Sequence, residues 1–525
     1  MRPHREYGFI RPPAAAQLQE YAARHRMTLT AEEAERLVPV LAGSLQVYDL
    51  IDELPEPPAP ASAFPQRSIG RPPRPEEDPY NAFIRLCEVT GAESGPLAGL
   101  TMGVKDCIAV AGIPMTNGSR MLPTAVPTED AVVVERLLAA GATVVGKTNM
   151  EDMALGIGEA SAFGPARNPV DPRFNTGGSS SGSGAAVAAG MVDFALGADE
   201  AGSVRIPAAW CGLVGMKATH GLVPSYGLSY MDHTIDHIGP ITKDVALNAA
   251  VLEVMAGSDW RDPQWVRADP VSGSYTQGLD AGVTGFRLGV IAESLEPMGS
   301  TPDVLEAFER ACDELRAQGA VIETVSIPLW THAWSIESAL LTFTSRAMID
   351  SGGVGYFHKG RIAPGWIETT TSQFRNTADD YAIFGKLNLL AAEHMRDQYL
   401  GSHYAKAQNL RIELTRQVSE ALGSLEALIT PTIPTVAGEL ELERHDLFGM
   451  LPRIAGSSIF NTCALDLTGH PALTVPAGAG AHGLPVGFQA IGGLFDEAAL
   501  YRIGAAVESA GLWSGPSESQ RVAVA

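Results

Sequence analysis

Positive charge is scarce in this sequence. Its 37 Lys and Arg stand against 60 Asp and Glu, a formal net charge of −23. Binding a phosphate backbone or an anionic membrane needs clustered Lys and Arg, so the balance speaks against both and favours small molecules as partners. Cysteine is scarcer still: Cys87, Cys107, Cys211, Cys312 and Cys463 are an odd number with no C-x-x-C pair. A disulfide framework or a cysteine zinc site is not expected, and the thiols read as reduced and buried. No uncharged apolar run reaches the roughly 18 residues that cross a membrane. The opening "MRPHREYGFIRPPAAAQLQE" lacks the apolar core of a signal peptide. The expectation from these absences is a cytoplasmic protein.

What is present is material for a large core. The chain has 525 residues, 45% hydrophobic and 18% charged, with 55 Gly and 36 Pro, as in a loop-rich α/β enzyme. Residues 1–53 read as a small helical segment: Thr30, with Glu33 three positions on, is a capping box before "AEEAERLVPVLAGSLQVYDLIDEL". Residues 54–79 are dense in proline and read as an extended linker or arm. From about residue 80 to 525, short apolar strands alternate with amphipathic helices, which is the pattern of a layered α/β core. "LAGLTMGVKDCIAV", "TVVGKTN", "MVDFALGAD" and "CGLVGMKAT" read as strands, "TEDAVVVERLLAAGA" as a helix. A helical stretch occupies about 330–420, and "ALITPTIPTVA" and "HPALTVPAG" read as late core strands.

The stretch "NTGGSSSGSGAAVAAG" (175–190) decides the functional reading. A flexible linker would not run straight into an Ala/Val core helix. A phosphate cradle would end in Lys-Ser/Thr or be followed by an acidic strand tip, and neither is present. The segment 178–182 matches G-x-S-x-G, which would make Ser180 a nucleophile elbow; that motif needs a strand directly before it, and "ARNPVDPRFNT" is a loop. The remaining reading pairs serine with a lysine base, because burial can leave a lysine amine neutral. Lys105 ends the apolar strand of "LTMGVKDCIAV", Ser179 lies in the Gly/Ser turn, and Ser203 lies in a second turn, "GADEAGSVRIPAAWCG". Alternatively Lys105 is an ordinary strand-end residue paired with Asp106, and the serines are ordinary turn residues.

With those residues in place the sequence resembles the amidase signature hydrolases over about 80–515. The likeness rests on "GVKD", "GGSSSGSGAAVAAG", "GADEAGSVRIPAAWCGLVGMKAT" and "GHPALTVPAG…GLPVGFQAIGG". The helical start with "YDLIDELP" is most similar to bacterial nitrile-pathway, enantioselective amidases. The resemblance implies an α/β fold with a mixed, largely parallel β-sheet covered by helices on both faces. It implies a Ser-cisSer-Lys triad: Ser203 as nucleophile, Ser179 as bridge after a cis peptide supported by Gly177 and Gly178, and neutral Lys105 as base. The backbone N–H groups of Glu200, Ala201, Gly202 and Ser203 would form the oxyanion hole. The implied reaction is hydrolysis of a small carboxylic amide through an acyl-enzyme on Ser203. No cofactor and no metal is implied, and the N-terminal segment with its arm suits a homodimer.

The nucleophile turn departs from the family at two positions. The family commonly has two glycines before the serine, whereas here Ala201 precedes Gly202. At a positive φ the Ala201 methyl would be strained. Glu200 stands where a neutral residue is usual; its carboxylate either selects a cationic or hydrogen-bond-donating substrate or bonds the scaffold. These departures keep open a non-catalytic amide-binding protein, alongside hydrolysis of hydrazides, esters or cyclic amides by the same triad. The transamidating component of a tRNA amidotransferase shares the motifs but would need partner subunits. Asp199 and Arg205 read as a structural ion pair, and Asp379-Asp380 as a solvated face. His233 and His237 form H-x-x-x-H, but "DHTIDHIGP" is a poor helix with no accompanying glutamate, so a zinc site is not expected. The 330–420 region is where acyl-group selectivity is expected.

Overall fold

Alternating apolar strands and amphipathic helices build a 12-stranded mixed sheet. The protein is described from a computed structural model, covering residues 10–515 apart from 59, 157, 263, 265–273, 357 and 441–458. The chain divides into two compact units, Met1–Pro60 and Ala61–Ala525. In the first, α1 (Ala15–Arg24) and α2 (Ala31–Glu53) pack together. The capping box at α2 is formed: Glu33 N–H donates to Thr30 Oγ1 at 3.2 Å, and Thr30 N–H to Glu33 Oε2 at 2.9 Å.

The second unit holds the sheet. Its strands are β1 (Arg67–Arg71), β2 (Phe83–Val89), β3 (Thr101–Lys105), β4 (Thr143–Thr148), β5 (Phe194–Asp199), β6 (Val214–Lys217), β7 (His237–Thr242), β8 (Arg287–Ile291), β9 (Val321–Val325), β10 (Ala427–Pro431), β11 (Ala472–Ala479) and β12 (Pro485–Ile491). Their order is β1-β2-β4-β3-β5-β7-β6-β11-β12-β10-β8-β9. The sheet is mixed, with four parallel and seven antiparallel pairings, so parallel pairs are fewer than the largely parallel expectation. Part of the proline-rich stretch is not a free arm: the proline-free run Arg67–Arg71 pairs antiparallel with β2 at the sheet edge.

Helices cover both faces, and the two-residue period of the strands shows why. In β5, Phe194, Leu196 and Ala198 enter one core with α3 (Val132–Ala139), α6 (Val245–Met255), α7 (Pro302–Ala317) and α13 (Glu497–Ser509). Ala195 faces the other side, with α4 (Ser181–Ala188) and Ala208 of α5 (Arg205–Trp210). A strand buried on both faces must be apolar throughout, as β5 is up to its closing aspartate. The 330–420 stretch folds as α8 (Ala333–Asp350), α9 (Pro364–Asn376), α10 (Ile383–Tyr399) and α11 (Ser402–Leu422). α8 and α11 share a core with α12 (Cys463–Thr468). The five cysteines are buried and unpaired.

β3 and β5 are parallel neighbours, so their carboxyl ends emerge together, at the edge where open α/β sheets carry their sites. Lys105 is the last residue of β3, and Asp199, the last of β5, leads into the Glu200–Ser203 turn.

Candidate active site

Lys105 is fully buried. Its Nζ donates to Ser179 Oγ at 2.8 Å and to the carbonyl of Ala198 at 3.1 Å. Asp106, the alternative partner, faces elsewhere: Lys147 Nζ lies 3.3 Å from its Oδ1, and Thr116 N–H donates to its Oδ2 at 2.8 Å. The lysine is thus turned toward the serine rather than into an ion pair.

Ser179 sits in a loop, not after a strand, and its peptide bond with Gly178 is cis. Gly177 starts the turn at φ +78°, and its N–H donates to Asn175 Oδ1 at 2.6 Å. The chain then enters α4, which packs against β3, β4 and β5. Ser180 is fully buried with its Oγ on the Ala198 carbonyl at 3.2 Å, so the elbow reading has neither its strand nor an accessible hydroxyl.

The Ser203 turn is built on a buried ion-pair network. Asp199 Oδ1 accepts from Gly202 N–H at 2.6 Å and Oδ2 from Val204 N–H at 3.1 Å. Arg205 closes on the same carboxylate at 2.9 Å, on Asp466 at 2.7 Å, and on Gln489 and the Thr462 carbonyl at 3.0 Å each. Burial alone would push Asp199 up, but the Arg205 and Lys217 charges and these hydrogen bonds hold it down at about 2. The pair is structural: it shapes the turn.

Two expectations about the turn change. Gly202, one of four N–H groups expected at an oxyanion hole, is spent on Asp199. The N–H groups of Ala201 and Ser203 meet no protein acceptor among the described residues. Ala201 is not strained, because the left-handed residue is Gly202, at φ +125°. A Cβ on Gly202 would also run into the Thr462 side chain. Lys105 and Ser179 are hydrogen-bonded, but no bond joins Ser179 to Ser203 among the described residues. Such links commonly tighten only when substrate binds.

Acidic groups crowd this site. Burial pushes the Glu200 carboxyl up, Lys105 pulls it down, and Asp199 and the Ser203 hydroxyl are its other neighbours. Burial lifts Glu151, also near Lys105, to about 7. Sequence reasoning missed Glu151 and Asp236. Asp236 lies one residue before β7, next to the His237 that pairs with Asp199, and the Glu200 charge acts on it.

The sequence model of the family described as Amidase matches residues 84–501. The chain belongs to the amidase family. Its relatives include a glutamyl-tRNA(Gln) amidotransferase subunit of Haloarcula marismortui, 39% identical, covering 82% of this chain and 99% of that one. The enantioselective amidase of Rhodococcus rhodochrous is 36% identical over 97% of this chain and 98% of its own. Among solved structures, native peptide amidase from Stenotrophomonas maltophilia superposes with a TM-score of 0.66 at 30% identity, covering 81% of this chain and 85% of that one. The chain is an amidase-signature hydrolase, in a family of enzymes that act on C–N bonds.

The two histidines of the H-x-x-x-H pair have other neighbours than Lys105, Ser179 and Ser203. His233 packs against Tyr230 and His358, with ring centroids 3.8 and 4.1 Å away. His237 begins β7, and its Nε2 lies 3.4 Å from Lys217 Nζ. A groove runs between Tyr226, Tyr230, His233, Trp366 and the Glu129–Arg361 ion pair, and none of Lys105, Ser179 and Ser203 lines it. No described helix is long and apolar enough to cross a membrane.

Proposed function

We propose that this amidase hydrolyses the C–N bond of a small carboxylic amide to the acid and ammonia or an amine through an acyl-enzyme on Ser203. The observation that carries the reading is the buried Lys105 with its Nζ 2.8 Å from Ser179 Oγ, at the sheet edge from which the Ser203 turn departs. A serine hydroxyl must lose its proton as it attacks. Ser179 both donates and accepts, so it passes the Ser203 proton to Lys105 Nζ. The Ser203 oxygen bonds to the carbonyl carbon, and the oxyanion is met by the N–H groups of Ala201 and Ser203, beside Glu200. Each such donor contributes about 100-fold or more in rate. The relay run backwards protonates the leaving nitrogen, the C–N bond breaks, and water then hydrolyses the ester by the same path.

A free amidase, rather than a transamidating component of a larger assembly, is favoured by coverage. The match to the enantioselective amidase takes in 97% of the chain and therefore most of residues 1–60, whereas the match to the amidotransferase takes in 82%. A homodimer built through α2 is part of the proposal: Leu37, Val40, Val47, Ile51 and Leu54 follow a three-four spacing and are all exposed. The test is ammonia release from a panel of simple amides, with hydrazides and esters beside them. Release that disappears in Ser203→Ala supports the reading. Release that persists there contradicts it, and binding without release favours the non-catalytic alternative.

A further inference from the structure

The Ser203 turn has more buried carboxyl groups around it than the proposed reaction uses. Glu200 is 3% exposed and Asp236 fully buried. Glu200 follows Asp199 and Asp236 precedes His237, the last registered pair of β5 and β7, and the Glu200 charge acts on Asp236. Asp236 Oδ2 accepts from the N–H groups of Met231 and Asp232 at 2.6 and 3.1 Å, but its Oδ1 has no partner among the described residues. Glu200 Oε2 and Asp232 Oδ2 are likewise buried without a partner there. No lysine or arginine among the described residues hydrogen-bonds to Glu200 or Asp236. Lys105 is taken by Ser179 and Ala198, and Arg411 by Leu467 and Thr234. Burial raises both carboxyls, and for Asp236 the Glu200 charge raises it further. The Lys105 charge acts on Glu200 without a hydrogen bond to it, and a buried carboxylate with no bonded counter-charge is costly, so an ammonium group would satisfy it.

We propose that Glu200, backed by Asp236, receives a protonated amine of the substrate, so that the substrate class is amides with an ammonium beside the scissile carbonyl: α-amino-acid amides. This rests on the reading of Ser203 as the reacting centre. Glu200 neighbours the Ser203 hydroxyl, so a cation held on it stands within a few bonds of the carbonyl that Ser203 attacks. The same cation removes an electrostatic conflict, because an unneutralised carboxylate there opposes the negative charge that develops on the carbonyl oxygen.

The test compares phenylalaninamide with 3-phenylpropanamide, which shares its carbon skeleton but lacks the amine. Affinities are measured by titration calorimetry on Ser203→Ala at about pH 7, where an α-amine of pKa about 7.7–8.0 is mostly protonated. A charge-assisted contact predicts that phenylalaninamide binds about tenfold or more tightly. Adding Glu200→Gln abolishes that ratio, and adding Asp236→Asn reduces it. Equal or weaker binding of phenylalaninamide overturns the proposal, as does a ratio that survives Glu200→Gln. Ser203→Ala does not turn over, so these affinities are read independently of ammonia release by the wild type, and the two readings fail separately.

Discussion

At the scale of single residues, burial decides which groups exchange protons. Lys105 has one hydroxyl in reach and no carboxylate bonded to it among the described residues. Lys105→Ala is expected to lower kcat by about 100- to 10,000-fold, the usual worth of a general base, in steady-state assays on any amide the enzyme turns over. Gly202→Ala is expected to abolish activity or folding, since a methyl at φ +125° faces Thr462. Asp152 gives a pH signature. Burial, with the nearby Glu151 charge, lifts its carboxyl to about 7, against about 3.9 in an unfolded chain. The folded state therefore keeps a proton that the unfolded chain has released, and the stability contributed below about pH 4 is lost as the pH rises to about 7. Asp152→Asn cannot ionise, so its gain in Tm over the wild type grows between those limits and levels off above. A pH-independent difference contradicts the assignment.

At the scale of elements, the Asp199–Arg205–Asp466 network ties the β5–α5 turn to α12 and, through Gln489, to β12. Removing one member leaves buried charge uncompensated. Arg205→Met is expected to cost about 3–5 kcal/mol in denaturant unfolding. The strands that carry the site were legible because β3, β4 and β5 are short apolar runs bounded by turn residues, and α4 because the Gly/Ser run leads into Ala and Val. Strand direction was not legible. Alternating helices and strands suggest parallel crossovers, yet β5 pairs antiparallel with β7, and no local pattern records which distant strand a segment joins. β1 was hidden by the prolines around it; a five-residue run suffices at an edge, where one side of the ladder stays open. The engagement of Gly202 by Asp199 was also beyond the sequence, because it depends on how the aspartate folds under the turn. The placing of Lys105 at a strand end and of Ser179 and Ser203 in turns was legible from the apolar run and the Gly/Ser segments, whereas Asp236 comes near Glu200 through strands distant in sequence.

At the scale of the whole molecule, the N-terminal unit presents apolar surface that a solvated helix has no reason to keep. The stripe on α2 has the spacing of a helix–helix seam. Val47→Glu combined with Ile51→Glu is expected to convert a dimer into a monomer in size-exclusion chromatography with light scattering. An unchanged mass removes α2 from the interface.

The central claim is that Ser203 is a nucleophile activated by Lys105 through Ser179, and it is tested most directly by covalent labelling. The protein is treated with phenylmethylsulfonyl fluoride and the modified peptide is mapped by mass spectrometry, with Lys105→Ala alongside. The account predicts a single sulfonylated residue, Ser203, and its loss in Lys105→Ala. Labelling at Ser180, or labelling of Ser203 that is undiminished without Lys105, would contradict it.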